Sequence, residues 1–66
     1  MAGASGKGEI FIEFVIQGNS VKATAIDADT GTEASVVGPA SAPQTALADA
    51  ARRKLEYLLK KQSGER

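Results

Sequence analysis

The chain contains no cysteine, no histidine and no tryptophan among its 66 residues. Without cysteine there is no disulfide to staple a chain that sits near the lower size limit for independent folding. Without cysteine and histidine the common soft metal ligands are missing, and no hydroxyl has an imidazole to activate it. An excess of charge of one sign is also missing. Eight basic and eight acidic residues cancel, so the chain as a whole is not drawn to nucleic acid or to a membrane surface. No apolar run approaches the roughly 20 residues that span a bilayer. The opening "MAGASGKGE" has no apolar core of the kind a secretory signal needs. These absences lead to the expectation of a cytoplasmic protein with no cofactor and no metal. Its stability must come from packing, or from packing plus a partner chain.

What is present is a single domain with two short tails. Hydrophobic residues make up 42 % of the chain, but many are alanine, which buries little area per residue. Residues 1–8 are small, polar and glycine-rich and read as a disordered tail. Residues 9–61 read as one folded unit, and residues 62–66 as a frayed end. Within the first tail, "GASGKG" has the look of a phosphate-binding loop. That motif requires a hydroxyl after the lysine, a strand before it and a helix after it. Here Gly8 follows Lys7, and a strand pattern comes next.

"EIFIEFVIQ" alternates strictly. Ile10, Ile12, Phe14 and Ile16 fall on one parity, and Phe11, Glu13 and Val15 on the other. Gly18-Asn19 suits a two-residue hairpin turn with glycine first. "SVKATAID" resumes the alternation, so Ile16 is expected opposite Val21, Phe14 opposite Ala23 and Ile12 opposite Ala25. "ADTGTE" reads as a three-residue hairpin loop, Asp29-Thr30-Gly31, leading into a third strand, "TEASVV". Gly38-Pro39 is expected to end the sheet, because proline has no N–H for the ladder. "SAPQTALADAARRKLEYLLKKQ" reads as a helix, with Ser41 as its cap and an apolar stripe of Leu47, Ala51, Leu55 and Leu58. The order is β-β-β-α. The expected fold is α+β: a three-stranded antiparallel meander with one C-terminal helix laid across it. The sequence places Val37 on the helix side of the third strand and Val36 on the other.

Four features invite a functional reading. The tripeptide Asp29-Thr30-Gly31 is the catalytic signature of aspartic proteases. Such an enzyme needs two carboxylates withdrawn from water and sharing a proton. Asp27 and Ala28 precede this copy instead of the usual apolar residues, so it reads as a polar turn. The acids Asp27, Asp29 and Glu33 gather near that turn, but their spacing matches no calcium loop. In the helix, five cations stand against two anions between Asp49 and Lys61. Arg52, Arg53, Lys60 and Lys61 are the candidate contacts for nucleic acid. Asp49 with Arg53, Arg52 with Glu56 and Glu56 with Lys60 are each four apart, which describes a solvated ladder of ion pairs instead. The remaining feature is the sheet face away from the helix. Phe11, Val15, Ile26 and Val36 are expected there, with no second helix to cover them.

The run "GEIFIEF…VKATAIDADTGTEASVVGP" followed by "ARRKLEYLLKK" resembles a family of small uncharacterised alphaproteobacterial proteins of unknown function. The resemblance implies a bacterial, cytoplasmic origin and transfers no site residues. The reading that follows is a non-catalytic protein-interaction module using the open sheet face, with an unknown protein partner or a weak homodimer. A nucleic-acid-binding module using the basic half of the helix is the alternative.

Overall fold

The computed structural model describes residues 9–62. The expected tails lie outside these residues, apart from Gln62, which is the last helical residue. Three strands, β1 (Ile10–Gln17), β2 (Ser20–Asp27) and β3 (Glu33–Pro39), form one antiparallel sheet in the order β1-β2-β3. One helix, α1 (Gln44–Gln62), follows. The fold is the expected β-β-β-α arrangement of the α+β class.

The first hairpin closes as its sequence demands. Gly18 takes φ of +62° while Asn19 stays at negative φ, the pattern of a glycine-first turn. Ile16 pairs with Val21, Phe14 with Ala23 and Ile12 with Ala25. The second hairpin differs from expectation by one residue. Asp27 N–H donates to the Thr32 carbonyl at 2.9 Å. The loop inside that pair is therefore Ala28–Gly31, four residues and not three, closed by Gly31 at φ +78°. A shift of one residue turns every side chain of a strand to the opposite face. Ala25 now pairs with Ala34, Ala23 with Val36 and Lys22 with Val37. Val36 thus lies on the helix side and packs against the core, while Val37 is 63 % exposed on the other face.

β3 also runs further than expected, through Pro39 opposite Ser20. Ala40 N–H donates to the Asn19 carbonyl at 2.7 Å. Even-numbered residues of β3 therefore direct their backbone groups toward β2, and odd-numbered ones point outward. The N–H that Pro39 lacks would have faced away from the ladder.

The helix lies over β2 and β3. Its buried Leu47, Ala51 and Leu55 rest on Val21, Ala23, Ala25 and Ala34. Small side chains on both layers allow close approach, and Leu55 is the largest fully buried side chain. Gly38 serves the same end: a methyl group there would come within 2.6 Å of Leu47 Cδ2. At the N-terminus of α1, the Pro43 carbonyl accepts from Leu47 N–H at 3.3 Å. The cap position is therefore Pro43, two residues beyond Ser41, since the cap is the residue whose carbonyl takes the first helical bond.

Candidate functional site

Register fixes the face that α1 leaves uncovered. It carries Phe11, Glu13, Val15 and Gln17 from β1, Lys22, Thr24 and Ile26 from β2, and Glu33, Ser35 and Val37 from β3. Phe11 is 54 % exposed and Val15 47 %, while Ile26, opposite Phe11, is half-buried by its neighbours. At the centre the Thr24 and Ser35 hydroxyls lie 2.8 Å apart, so the one buried polar residue on this face has its partner. Of the four residues expected on the open face, the structure brings Phe11, Val15 and Ile26 together. Val36 is replaced there by Val37.

The apolar exposure does not stop at this face. A helix is about 10 Å across with its side chains, and strands stand about 4.8 Å apart. One helix therefore shelters two strands well and a third poorly. Ile10 and Ile12 pack against the core cluster and are half-buried. Further along the strand, Phe14 is 36 % exposed and Ile16 72 % exposed, although both point to the helix side. Sequence periodicity assigned all four to the core. It gives the side of a strand, but not whether a helix reaches over it.

The two edges of the sheet are built differently. Ala28 N–H donates to the Glu9 carbonyl at 3.1 Å, so odd-numbered residues of β1 turn their backbone groups toward β2. Ile10, Ile12, Phe14 and Ile16 turn theirs outward. Among the described residues nothing caps that row. On β3 the outward groups belong to odd-numbered residues. There Lys54 Nζ reaches over to donate to the Ser35 carbonyl at 2.9 Å, and Pro39 removes one donor. Lysine and proline at an edge are common defences against strand addition.

The Asp29-Thr30-Gly31 loop is organised by a different aspartate. Asp27 is buried, and its Oδ2 accepts from Thr30 N–H at 2.9 Å and from the Thr30 hydroxyl at 2.8 Å. Its carbonyl accepts from Gly31 N–H at 2.8 Å. Asp29 stands exposed at the tip. In the sequence Asp27 stands only as an acid preceding the motif; in the structure it is the residue that holds the loop closed. Asp followed three residues later by Thr was the available signal. Among the described residues, no three acidic side chains converge as a metal-ligand set. The Thr32 hydroxyl donates to Gln62 Oε1 at 3.1 Å and ties the loop to the end of α1. Beside this contact lies an open groove of about 710 Å³, lined by Thr30, Glu56, Leu59, Lys60 and Gln62. The groove's one hydroxyl, on Thr30, is already committed to Asp27.

The basic half of α1 is partly engaged. Asp49 holds both Arg52, at 3.4 Å, and Arg53, at 3.8 Å. Arg52 thus turns back one turn instead of forward to Glu56. Lys61 Nζ sits 5.4 Å from the centroid of the Tyr57 ring. No helix among the described residues is long and apolar enough to cross a membrane.

A family described as a domain of unknown function (DUF6898) matches residues 7–62, and the chain belongs to that family. No curated protein and no solved structure matches the chain.

Proposed function

We propose that the domain is a small non-catalytic interaction module and that its contact surface is centred on β1. The observation that carries this reading is the distribution of exposed apolar side chains. Phe11, Phe14, Val15 and Ile16 are all on β1, and each is exposed. Scattered surface hydrophobes mean little, but four on one edge strand, two on each face of the sheet, leave that edge apolar on both sides. Phe11 and Val15 reach the open face, where Ile26 adjoins them. The partner is a protein. Exposed arginines on α1 share one aspartate, and the net charge of the chain is zero. Both weaken the case for a phosphate backbone as the ligand. The resemblance of the sequence to alphaproteobacterial proteins supports action in a bacterial cytoplasm.

The test pairs two variants. Phe11→Ser with Ile26→Ser should retain the fold by circular dichroism, since neither side chain faces α1, and should abolish the association expected of wild type. Wild type should show no binding to duplex RNA or DNA at physiological salt. Binding that falls steeply with salt, and that is lost in Arg52→Glu with Arg53→Glu, would overturn the reading in favour of a nucleic-acid surface.

A further inference from the structure

The exposed strand is symmetric in a way that bears on what it binds. Read outward from Glu13, "IFIEFVI" places Ile12 and Phe14 at one step, Phe11 and Val15 at two, and Ile10 and Ile16 at three. The apolar pattern is a palindrome about one acid. We infer that the partner is a second copy of this chain, joined by antiparallel pairing of β1 with β1 of the other copy about Glu13. The inference rests on the interaction reading above and names its occupant.

Three observations converge on it. First, the outward-facing residues are Ile10, Ile12, Phe14 and Ile16. Centring the pair on Glu13 sets Ile10 against Ile16 and Ile12 against Phe14, in both directions. Every outward N–H and C=O of the four then finds a partner. A pairing centred on Ile12 or on Phe14 leaves one of the four residues unpaired on each copy. Second, only the Glu13-centred register puts an apolar side chain opposite an apolar one at each of these positions. Ile12–Phe14 and Ile10–Ile16 pairs form on the helix side, and Phe11–Val15 pairs on the open face. The alternatives set Glu13 against Phe11 or Val15. The cost is two Glu13 side chains facing each other, but they are exposed on the open face, with Lys22 diagonally across from each. A like-charge pair exposed to water and salt weighs less than two further backbone hydrogen bonds and a matched apolar row. Third, the β3 edge is closed by Lys54 and Pro39, so the chain cannot extend from that side. Pairing through β1 alone makes a closed two-fold dimer and stops there.

The product is a six-stranded sheet with both helices on one face. Between them lies a trench floored by Ile10, Ile12, Phe14 and Ile16 of both copies. The edge is about 25 Å long and one side-chain layer deep on each face. It therefore buries less than the roughly 800 Å² per partner of a standard interface. The dimer is accordingly weak, with a dissociation constant on the order of 100 µM.

The cysteine-free background makes the register testable. Non-hydrogen-bonded pairs in antiparallel strands bring Cα atoms to about 4.5 Å, within disulfide range. Glu13→Cys should therefore form a symmetric disulfide rapidly under mild oxidant. Val37→Cys, at the far edge of the open face, should not. By sedimentation equilibrium, wild type should move from monomer to dimer as concentration rises to about 1 mM. Glu13→Thr should tighten the dimer and Ile16→Lys should weaken it by about tenfold or more, with circular dichroism unchanged in both. Wild type that stays monomeric throughout overturns the pairing. A dimer that crosslinks through Val37→Cys, ignores Glu13→Cys and is indifferent to Ile16→Lys overturns it too. In that case the interaction reading stands, because the copies meet face to face. A double variant Phe11→Ser with Ile26→Ser that associates as well as wild type counts against the reading itself.

Discussion

The two edges of this sheet are strands of nearly equal length, eight residues in β1 and seven in β3, with opposite outcomes. The β3 edge lies beneath α1, lends a carbonyl to Lys54 and ends on Pro39. Among the described residues the β1 edge has no lysine, no proline and no helix above its second half, and Phe14 and Ile16 are exposed. A chain of this size has one helix to spend. The floor of alanines on β2 and β3 decides where it settles, because Ala23, Ala25 and Ala34 let Leu55 and Ala51 come close. β1, with its bulky isoleucines and phenylalanine, offers no such seat. The uncovered strand is the consequence of where the small residues are, and the proposed interaction surface is placed on it for that reason.

The largest break in this comparison comes from removing the anchor of the covered side. Leu55→Ala empties the centre of the core and should cost about 3–5 kcal/mol. That loss is enough to unfold a domain whose total stability is on the order of 5 kcal/mol. Phe14→Ala removes a larger side chain from the uncovered side and should cost only about 1–2 kcal/mol, because the ring is already partly in water. Urea unfolding of the two variants measures the difference directly. Equal losses would mean that the two sides are equally part of the core.

The next break lifts the helix from the edge it covers. Gly38 lies under Leu47, and a methyl group there would have to push the end of the Leu47 side chain aside. Gly38→Val should therefore destabilise by about 1–3 kcal/mol, as overpacking does. It should also loosen the N-terminal half of α1 first, which amide exchange would show as faster exchange at Leu47 and its neighbours than at Leu58. Uniform exchange along α1 would argue against a local cause.

The contrast between the hairpins explains what was legible in the sequence. The first register follows from Gly18-Asn19, a two-residue loop that leaves no freedom, and the structure reproduces it pair by pair. The second depends on whether Asp27 belongs to the strand end or to the loop. "EASVV" cannot arbitrate, since Val36 and Val37 are equally apolar and adjacent. The Asp27 N–H bond to the Thr32 carbonyl settles the count, and with it the face of every β3 residue, and the bonds from Thr30 to the Asp27 carboxylate hold the four-residue loop inside it. The seat of the helix was half legible. Ala23, Ala25 and Ala51 are small enough for close approach, but nothing in the periodicity of β1 shows that the helix stops short of Phe14 and Ile16. The cap moved from Ser41 to Pro43 for a related reason: which carbonyl takes the first bond depends on the path of the chain, not on the residue's preference. The same two aspartates give the third prediction. Asp27→Ala should cost about 1–2 kcal/mol, since it leaves the Thr30 donors without their acceptor inside the loop. Asp29→Asn should stay within about 0.5 kcal/mol of wild type. Peptide cleavage by wild type that disappears in Asp29→Asn would replace the turn reading with a catalytic one.

The smallest effects on stability carry the sharpest test of the two edges, because they exchange the defences. Lys54→Ala removes the donor to the Ser35 carbonyl and should cost about 0.5–1 kcal/mol, the net worth of one exposed hydrogen bond. Ile16→Lys adds an edge lysine where none exists and should change stability by less than about 0.5 kcal/mol, since that side chain is already mostly in water. Their effects on association should run in opposite directions. Ile16→Lys places a charge in the row that must face Ile10 of the other copy, so the dimer weakens. Lys54→Ala bares a carbonyl on β3, but Pro39 still withholds a donor there, so a second pairing edge does not open fully. Lys54→Ala together with Pro39→Val removes both defences. If edge protection is what limits assembly to two copies, that double variant should grow past the dimer at high concentration, and light scattering should register it. If it remains a dimer, the helix above β3 is sufficient cover by itself, and the difference between the edges reduces to where the alanines seat it.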